Sequence, residues 1–278
     1  MKKLIKLFVF ILMLCVVTSL LFGCNSKTNT LTVNSASFTE LEAKEPDINW
    51  IRNYYYVSET NKYKGPGFEL CELNGELHLN QISLPYDKAH LLCLDYKYLL
   101  GVDAGEFDGW VALCDYDSYR WEEAKQERIL NELCMGFLRY PLPVGHEHDN
   151  QVALIFTSTI YLPDVDNDGR IYKITTFDEE DKEYELELYA TLDYTPVAFL
   201  FDGDELIVAT QQNLVSVDTS GKVTELYSSD YWGFLGVNSI VKIDDSYFIG
   251  ACMGILEYKI TNSEIVWYPY YNIEENIE

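Results

Sequence analysis

Along most of this chain, apolar and polar positions alternate in short runs, and clusters of Gly, Asp, Asn and Ser separate the runs. A period of two bounded by turn residues predicts strands joined by hairpins, and almost nothing repeats at helical spacing. The clearest internal similarity lies near the C-terminus. VAFLFDGDELIVATQQNLVSVDTSGKVTELY (Val197–Tyr227) can be laid over SIVKIDDSYFIGACMGILEYKITNSEIVWY (Ser239–Tyr268). Each copy reads strand, acidic turn, strand, short loop, strand, Ser/Gly/Asn turn, and a last strand ending in Tyr. Four antiparallel strands per unit, repeated along the chain, predict the blades of a propeller.

The unit can be followed upstream, through Gln151–Leu192 preceded by NELCMGFLRYPL, through His90–Asp117, and through Asn53–Leu84. The expected fold is therefore all-β: a five-bladed β-propeller of four-stranded antiparallel blades over residues 47–271, with residues 272–278 as a tail. Six blades are the alternative, if TLTVNSASF contributes to an extra one. In four copies the second loop closes on a glycine (Gly67, Gly109, Gly169 and Gly254), and Asn213 stands there in the other. Both residue types tolerate the left-handed conformation that such turns often need.

The last copy carries Asp244-Asp245, Phe248-Ile249-Gly250 and Gly254-Ile255-x-x-Tyr258 before an aromatic end. In this it resembles the two-component-regulator type of propeller repeat. LVSVDTSGKVTEL (Leu214–Leu226) looks like quinoprotein-type propeller repeats. Both resemblances imply architecture alone. Proteins with such repeats commonly serve as extracytoplasmic sensing or binding domains.

The N-terminus follows a different pattern. Lys2, Lys3 and Lys6 precede an apolar run from Leu7 to Phe22, and LFGC (Leu21–Cys24) is followed by polar residues. This resembles a bacterial lipoprotein signal. The resemblance implies a signal peptide over 1–23, cleavage before Cys24, acylation of the Cys24 thiol, and a tether over 24–46. An uncleaved anchor is the other reading, since about 20 apolar residues span a bilayer. Both put the folded part on the extracytoplasmic face of the cell membrane.

Charge narrows the partners. The chain has 20 Lys and Arg against 45 Asp and Glu, a formal charge of −25. Three of those bases and no acids precede Cys24, so a chain beginning there carries 17 bases against 45 acids, or −28. Such a surface argues against nucleic acid and would attract cationic partners. Beyond Cys15 and Cys24 there are five cysteines, Cys71, Cys93, Cys114, Cys134 and Cys252. An odd count in apolar runs favours buried thiols over a disulfide framework. A Cys93–Cys134 or Cys71–Cys114 bridge is the alternative.

Candidate chemistry sits in the loops. Asp164, Asp166 and Asp168 alternate ahead of Gly169, in the positions where a calcium loop converges its oxygens. An acidic hairpin turn has the same composition. An EF-hand is excluded because Thr175 stands at the twelfth position, where a bidentate Glu is needed. In a propeller the second loops share a face with the loops joining blades. That expectation gathers Tyr63, Asp103, Glu106, Phe107, Asp108, Tyr194, Tyr231 and Trp232 into a ligand-binding face beside the acidic loop. Aromatic rings among acids suit a basic peptide or a sugar face.

A second candidate, His146 and His148 with Asp149, suits a solvated loop better than a metal site. No nucleophile elbow, phosphate loop or dinucleotide fingerprint occurs. The expectation is a monomeric, lipid-anchored binding module that is not an enzyme and uses no organic cofactor. An immunity or sequestering lipoprotein for a cationic toxin or peptide is the first alternative. A glycan-cleaving propeller is the second; it would need two carboxylates about 5–10 Å apart in the funnel.

Overall fold

The computed structural model describes residues 30–33, 40–46, 48–49, 67–82, 88–94, 97–103, 109–115, 126–141, 151–159, 168–179 and 182–270. An N-terminal hairpin pairs β1 (Thr30–Thr32) with β2 (Glu40–Glu42). A first sheet holds β3 (Gly67–Leu73) and β4 (Glu76–Ile82). The second holds β5 (Lys88–Cys93), β6 (Lys97–Asp103), β7 (Gly109–Asp115) and β8 (Gln126–Leu130). The third holds β9 (Leu133–Arg139), β10 (Gln151–Ser158), β11 (Gly169–Glu179) and β12 (Lys182–Leu192). The fourth runs β13 (Pro196–Asp202), β14 (Glu205–Thr210), β15 (Asn213–Val217) and β16 (Val223–Ser228). The fifth runs β17 (Val237–Ile243), β18 (Ser246–Ala251), β19 (Gly254–Lys259) and β20 (Glu264–Pro269).

Sheets two to five are each a four-stranded antiparallel meander in chain order, so the protein is all-β and of the propeller class. The five-blade count depends on residues 51–66, which lie outside the described ones. Among the described residues no helix is long and apolar enough to cross a membrane.

Inner strands such as β14 and β15 are buried on both faces, and the core is a series of layers between successive sheets. Leu99, Val111 and Leu113 meet Ala153, Ile155 and Ile174 between the second and third sheets. Leu154, Phe156 and Ile171 meet Leu206, Val208 and Val215 between the third and fourth. Ile207, Ala209 and Leu214 meet Ile249, Leu256 and Tyr258 between the fourth and fifth. The other face of the fifth sheet, through Phe248, Ile255 and Tyr268, packs on Leu70 and Leu77 of the first. The last sheet therefore packs on the first, as a closed circular order requires.

The N-terminal hairpin seals that closure. Val33 and Leu41 are buried in the layer between the fifth and first sheets, and Lys44 N–H donates to Trp267 O at 2.9 Å. Of TLTVNSASF, Leu31 and Val33 thus lie over the closing join, in a two-stranded hairpin rather than a further four-stranded sheet among the described residues.

Two expectations about local conformation need correcting. Left-handed residues occur at hairpin turns, as at Asn74, Gly203 and Asp244, but the second-loop positions Gly109, Gly169, Asn213 and Gly254 are not among them. Close approach explains all three of these glycines: a Cβ on Gly109 would lie 2.5 Å from Leu133 Cα, one on Gly169 2.5 Å from Tyr194 O, and one on Gly254 2.4 Å from Tyr268 O. The glycines also fall in two registers. Val111 and Ile171 face the next sheet two residues after Gly109 and Gly169, whereas Leu214 and Ile255 do so one residue after Asn213 and Gly254. Cys114 and Cys134 are buried, as apolar packing predicts, but Cys93 and Cys252 are exposed.

Candidate ligand-binding rim

The loops joining sheets and the loops between second and third strands do share one rim. Gln211 N–H in the second loop of the fourth sheet donates to Thr195 O at the join before it, at 3.0 Å. Cys252 N–H repeats the contact with Leu235 O in the fifth sheet, at 3.0 Å. Ser158 and Thr195 hydroxyls meet at 2.7 Å across the third and fourth sheets.

The candidate residues of this rim separate on inspection. Tyr194 is exposed on the join between the third and fourth sheets. Tyr231 is half-buried, its hydroxyl 2.6 Å from that of Tyr227; burial, and next the bond with Tyr227, push its phenol up. Trp232 is fully buried between the fourth and fifth sheets, with Nε1 donating to Thr210 O at 2.9 Å. It is a core residue and offers no face to a ligand.

Asp103 ends β6, its backbone paired with Gly109. Asp168 O accepts Thr159 N–H at 3.1 Å and so closes the base of the acidic loop. Cys24, Tyr63, Glu106, Phe107, Asp108, Asp164, Asp166, His146, His148 and Asp149 lie outside the described residues. Among the described residues no three His, Cys, Asp or Glu side chains are grouped to hold a metal.

The most developed chemistry lies where the second sheet joins the third. Glu132, in the joining loop, turns its carboxylate back onto its own sheet. Its Oε2 accepts the Thr157 hydroxyl at 2.5 Å and its Oε1 accepts the Tyr172 hydroxyl at 2.9 Å. Arg170 Nη1 also donates to Oε1. Thr157 ends β10, while Arg170 and Tyr172 open β11, so the strands on both sides of the acidic loop supply the donors.

The carboxylate is 14% exposed and the Arg170 side chain 34%. Hydrogen bonding to Tyr172, then the charge of Glu132, hold the guanidinium above its ordinary value. Burial, then the bond to Glu132, push the Tyr172 phenol up, so it remains a donor at neutral pH. A half-buried ion pair is weak evidence for stability, because desolvation offsets much of the attraction. Groups fixed in this way mark candidate functional sites.

No family model matches this chain, and no curated protein matches it. Among solved structures it is similar to a catalytically inactive virginiamycin B lyase from Staphylococcus aureus with quinupristin. The alignment covers 75% of this chain and 90% of that one, at 11% identity and a TM-score of 0.29. That neighbour is an enzyme, so the expectation that this chain is not an enzyme is corrected: absence of catalysis is not part of its reading. At that TM-score the likeness carries no argument for lyase chemistry.

Glu132, Arg170 and Tyr172 were not among the residues expected from sequence. Arg170 follows DNDG, which reads as turn and strand, and Glu132 stands 38 residues before it. No local pattern links them.

Proposed function

We propose that this chain is a lipid-anchored, extracytoplasmic propeller that captures a basic polypeptide on the rim formed by its joining loops. The supporting observation is the Glu132–Arg170–Tyr172–Thr157 network, a fixed set of polar groups where the Asp164–Asp168 loop leaves and rejoins the third sheet. An excess of 45 acids over 20 bases favours a cationic ligand. Calcium at Asp164, Asp166 and Asp168 would order the loop, with backbone carbonyls and water completing its shell. Acylation of Cys24 would hold the domain at the membrane as a monomer.

The test is capture on the immobilised domain from Asn25 onward, with calcium present, from culture fluid and lysate of the native organism. A basic polypeptide released by salt supports the reading, because surface electrostatics weaken as ionic strength rises. A retained neutral glycan, unaffected by salt, overturns it.

A further inference from the structure

We infer that Tyr194 is a specificity-determining residue of the joining-loop rim, its ring stacking on an arginine side chain of the captured polypeptide. This rests on the proposed capture of a basic polypeptide and adds which of its basic side chains is read. Among the described residues Tyr194 is the exposed aromatic, at 39%. The other rings near this rim are already engaged. Trp232 is fully buried, while Tyr231 and Phe234 pack against the core between the fourth and fifth sheets. Trp110, one residue past Gly109, carries the protein's own Arg128, whose Cζ lies 5.3 Å from the ring centroid.

The backbone presents that ring from a fixed position. Asp193 and Tyr194 form an exposed bend between Leu192 and Thr195, which are both buried. Thr195 O accepts Gln211 N–H at 3.0 Å, and the Thr195 hydroxyl meets that of Ser158 at 2.7 Å. On the other side Tyr194 O lies against Gly169, so close that a Cβ there would come within 2.5 Å of it. An aromatic side chain on a held backbone loses little freedom when a ligand packs on it.

Charge and ring chemistry together select the group that stacks there. The face of a tyrosine ring attracts a cation through its quadrupole. Asp193 shares the bend, Asp168 precedes Gly169, and the chain holds 45 acids against 20 bases, so a cation is drawn to this place before it touches the ring. A guanidinium is planar and weakly hydrated and lies flat on an aromatic face, whereas an ammonium is compact and strongly hydrated. Arginine is therefore favoured over lysine at equal charge, and the Trp110–Arg128 pair is the same contact made within the chain.

The test compares an alternating Arg/Gly decapeptide with its Lys/Gly counterpart, both amidated and equal in charge. Binding to the full chain in detergent is read by fluorescence anisotropy at low salt. The arginine peptide should bind about three- to fivefold tighter, the scale of one exposed cation–ring contact. Tyr194→Leu should keep the melting temperature and the lysine-peptide affinity but remove the preference. Tyr194→Phe should retain it and Tyr194→Trp widen it, an order that a purely structural role for the bend would not produce. Equal binding of the two peptides, or a preference that survives Tyr194→Leu, overturns the assignment while leaving the capture of basic polypeptides standing. Binding of neither peptide overturns both.

Discussion

Tyr247 donates its hydroxyl to Asp202 Oδ2 at 2.6 Å, bridging the fourth and fifth sheets on the rim opposite the joining loops. Lys242 Nζ reaches Oδ1 of the same carboxylate at 2.5 Å. Burial alone would push Asp202 up, but the bonds from Lys242 and Tyr247 outweigh it and hold the carboxyl below its ordinary value. A depressed native pKa contributes stability above the unfolded value, about 3.9 for Asp. That contribution is lost as pH falls from there through the native value. Urea midpoints measured from pH 6 downward should therefore drop below about pH 4, and Asp202→Asn should flatten that drop. Tyr247→Phe should cost about 1.5–3 kcal/mol at neutral pH, one hydrogen bond to a charged partner.

Trp232 makes a contrasting case within the predicted ligand face. Its indole is fully buried and bonded to Thr210 O. Trp232→Phe should cost about 1–2 kcal/mol for the orphaned carbonyl, and Trp232→Ala about 3–5 kcal/mol. Tyr194→Ala, at an exposed position, should stay within about 0.5 kcal/mol. Chemical denaturation separates the three.

Gly169 and Gly203 should respond to alanine for different reasons. At Gly169 the new methyl would meet Tyr194 O and Pro196 Cδ, at 2.5 and 2.6 Å, so the join must shift at a cost of about 1–3 kcal/mol. Gly203 has φ +61° and nothing within 4 Å of a Cβ, leaving only the left-handed penalty of about 1–2 kcal/mol. Because Gly169 adjoins Arg170, its substitution should also weaken peptide binding on the rim, while Gly203→Ala leaves binding unchanged.

The repeat and its turns were legible because each is a local property. Asp202–Glu205 and Asp244–Asp245 turn where acidic residues interrupt alternating apolar runs, and sheets two to five fall where the sequence copies placed them. What the chain does not display is which sheet covers a given residue. Trp232 opens a single 3-10 turn (Trp232–Phe234), too short to show periodicity, so nothing around it signals that the fourth and fifth sheets close over it. Arg170 reads as the start of a strand, and its partner Glu132 comes from a joining loop on the far side of β9 and β10. The second-loop glycines were visible as residues but misread as left-handed turns, because the backbone that crowds Gly169 belongs to a join more than 20 residues away in sequence.

The N-terminal hairpin predicts a stability effect remote from any ligand. Leu41 is 4% exposed and packs in the layer closing the fifth sheet on the first. Leu41→Ala should cost about 2–4 kcal/mol, against less than about 0.5 kcal/mol for Leu188→Ala at a position 56% exposed. A cost at Leu41 no larger than at Leu188 would mean that the hairpin does not seal the closure.

The most direct test of the central claim is hydrogen exchange of the domain with and without its captured basic polypeptide, read by mass spectrometry. Binding at the joining-loop rim predicts slowed exchange in residues 131–139 and 168–176, with no change around the opposite-rim turns at 202–205 and 243–246. Protection confined to those opposite turns, or none at 131–139 and 168–176, would contradict it.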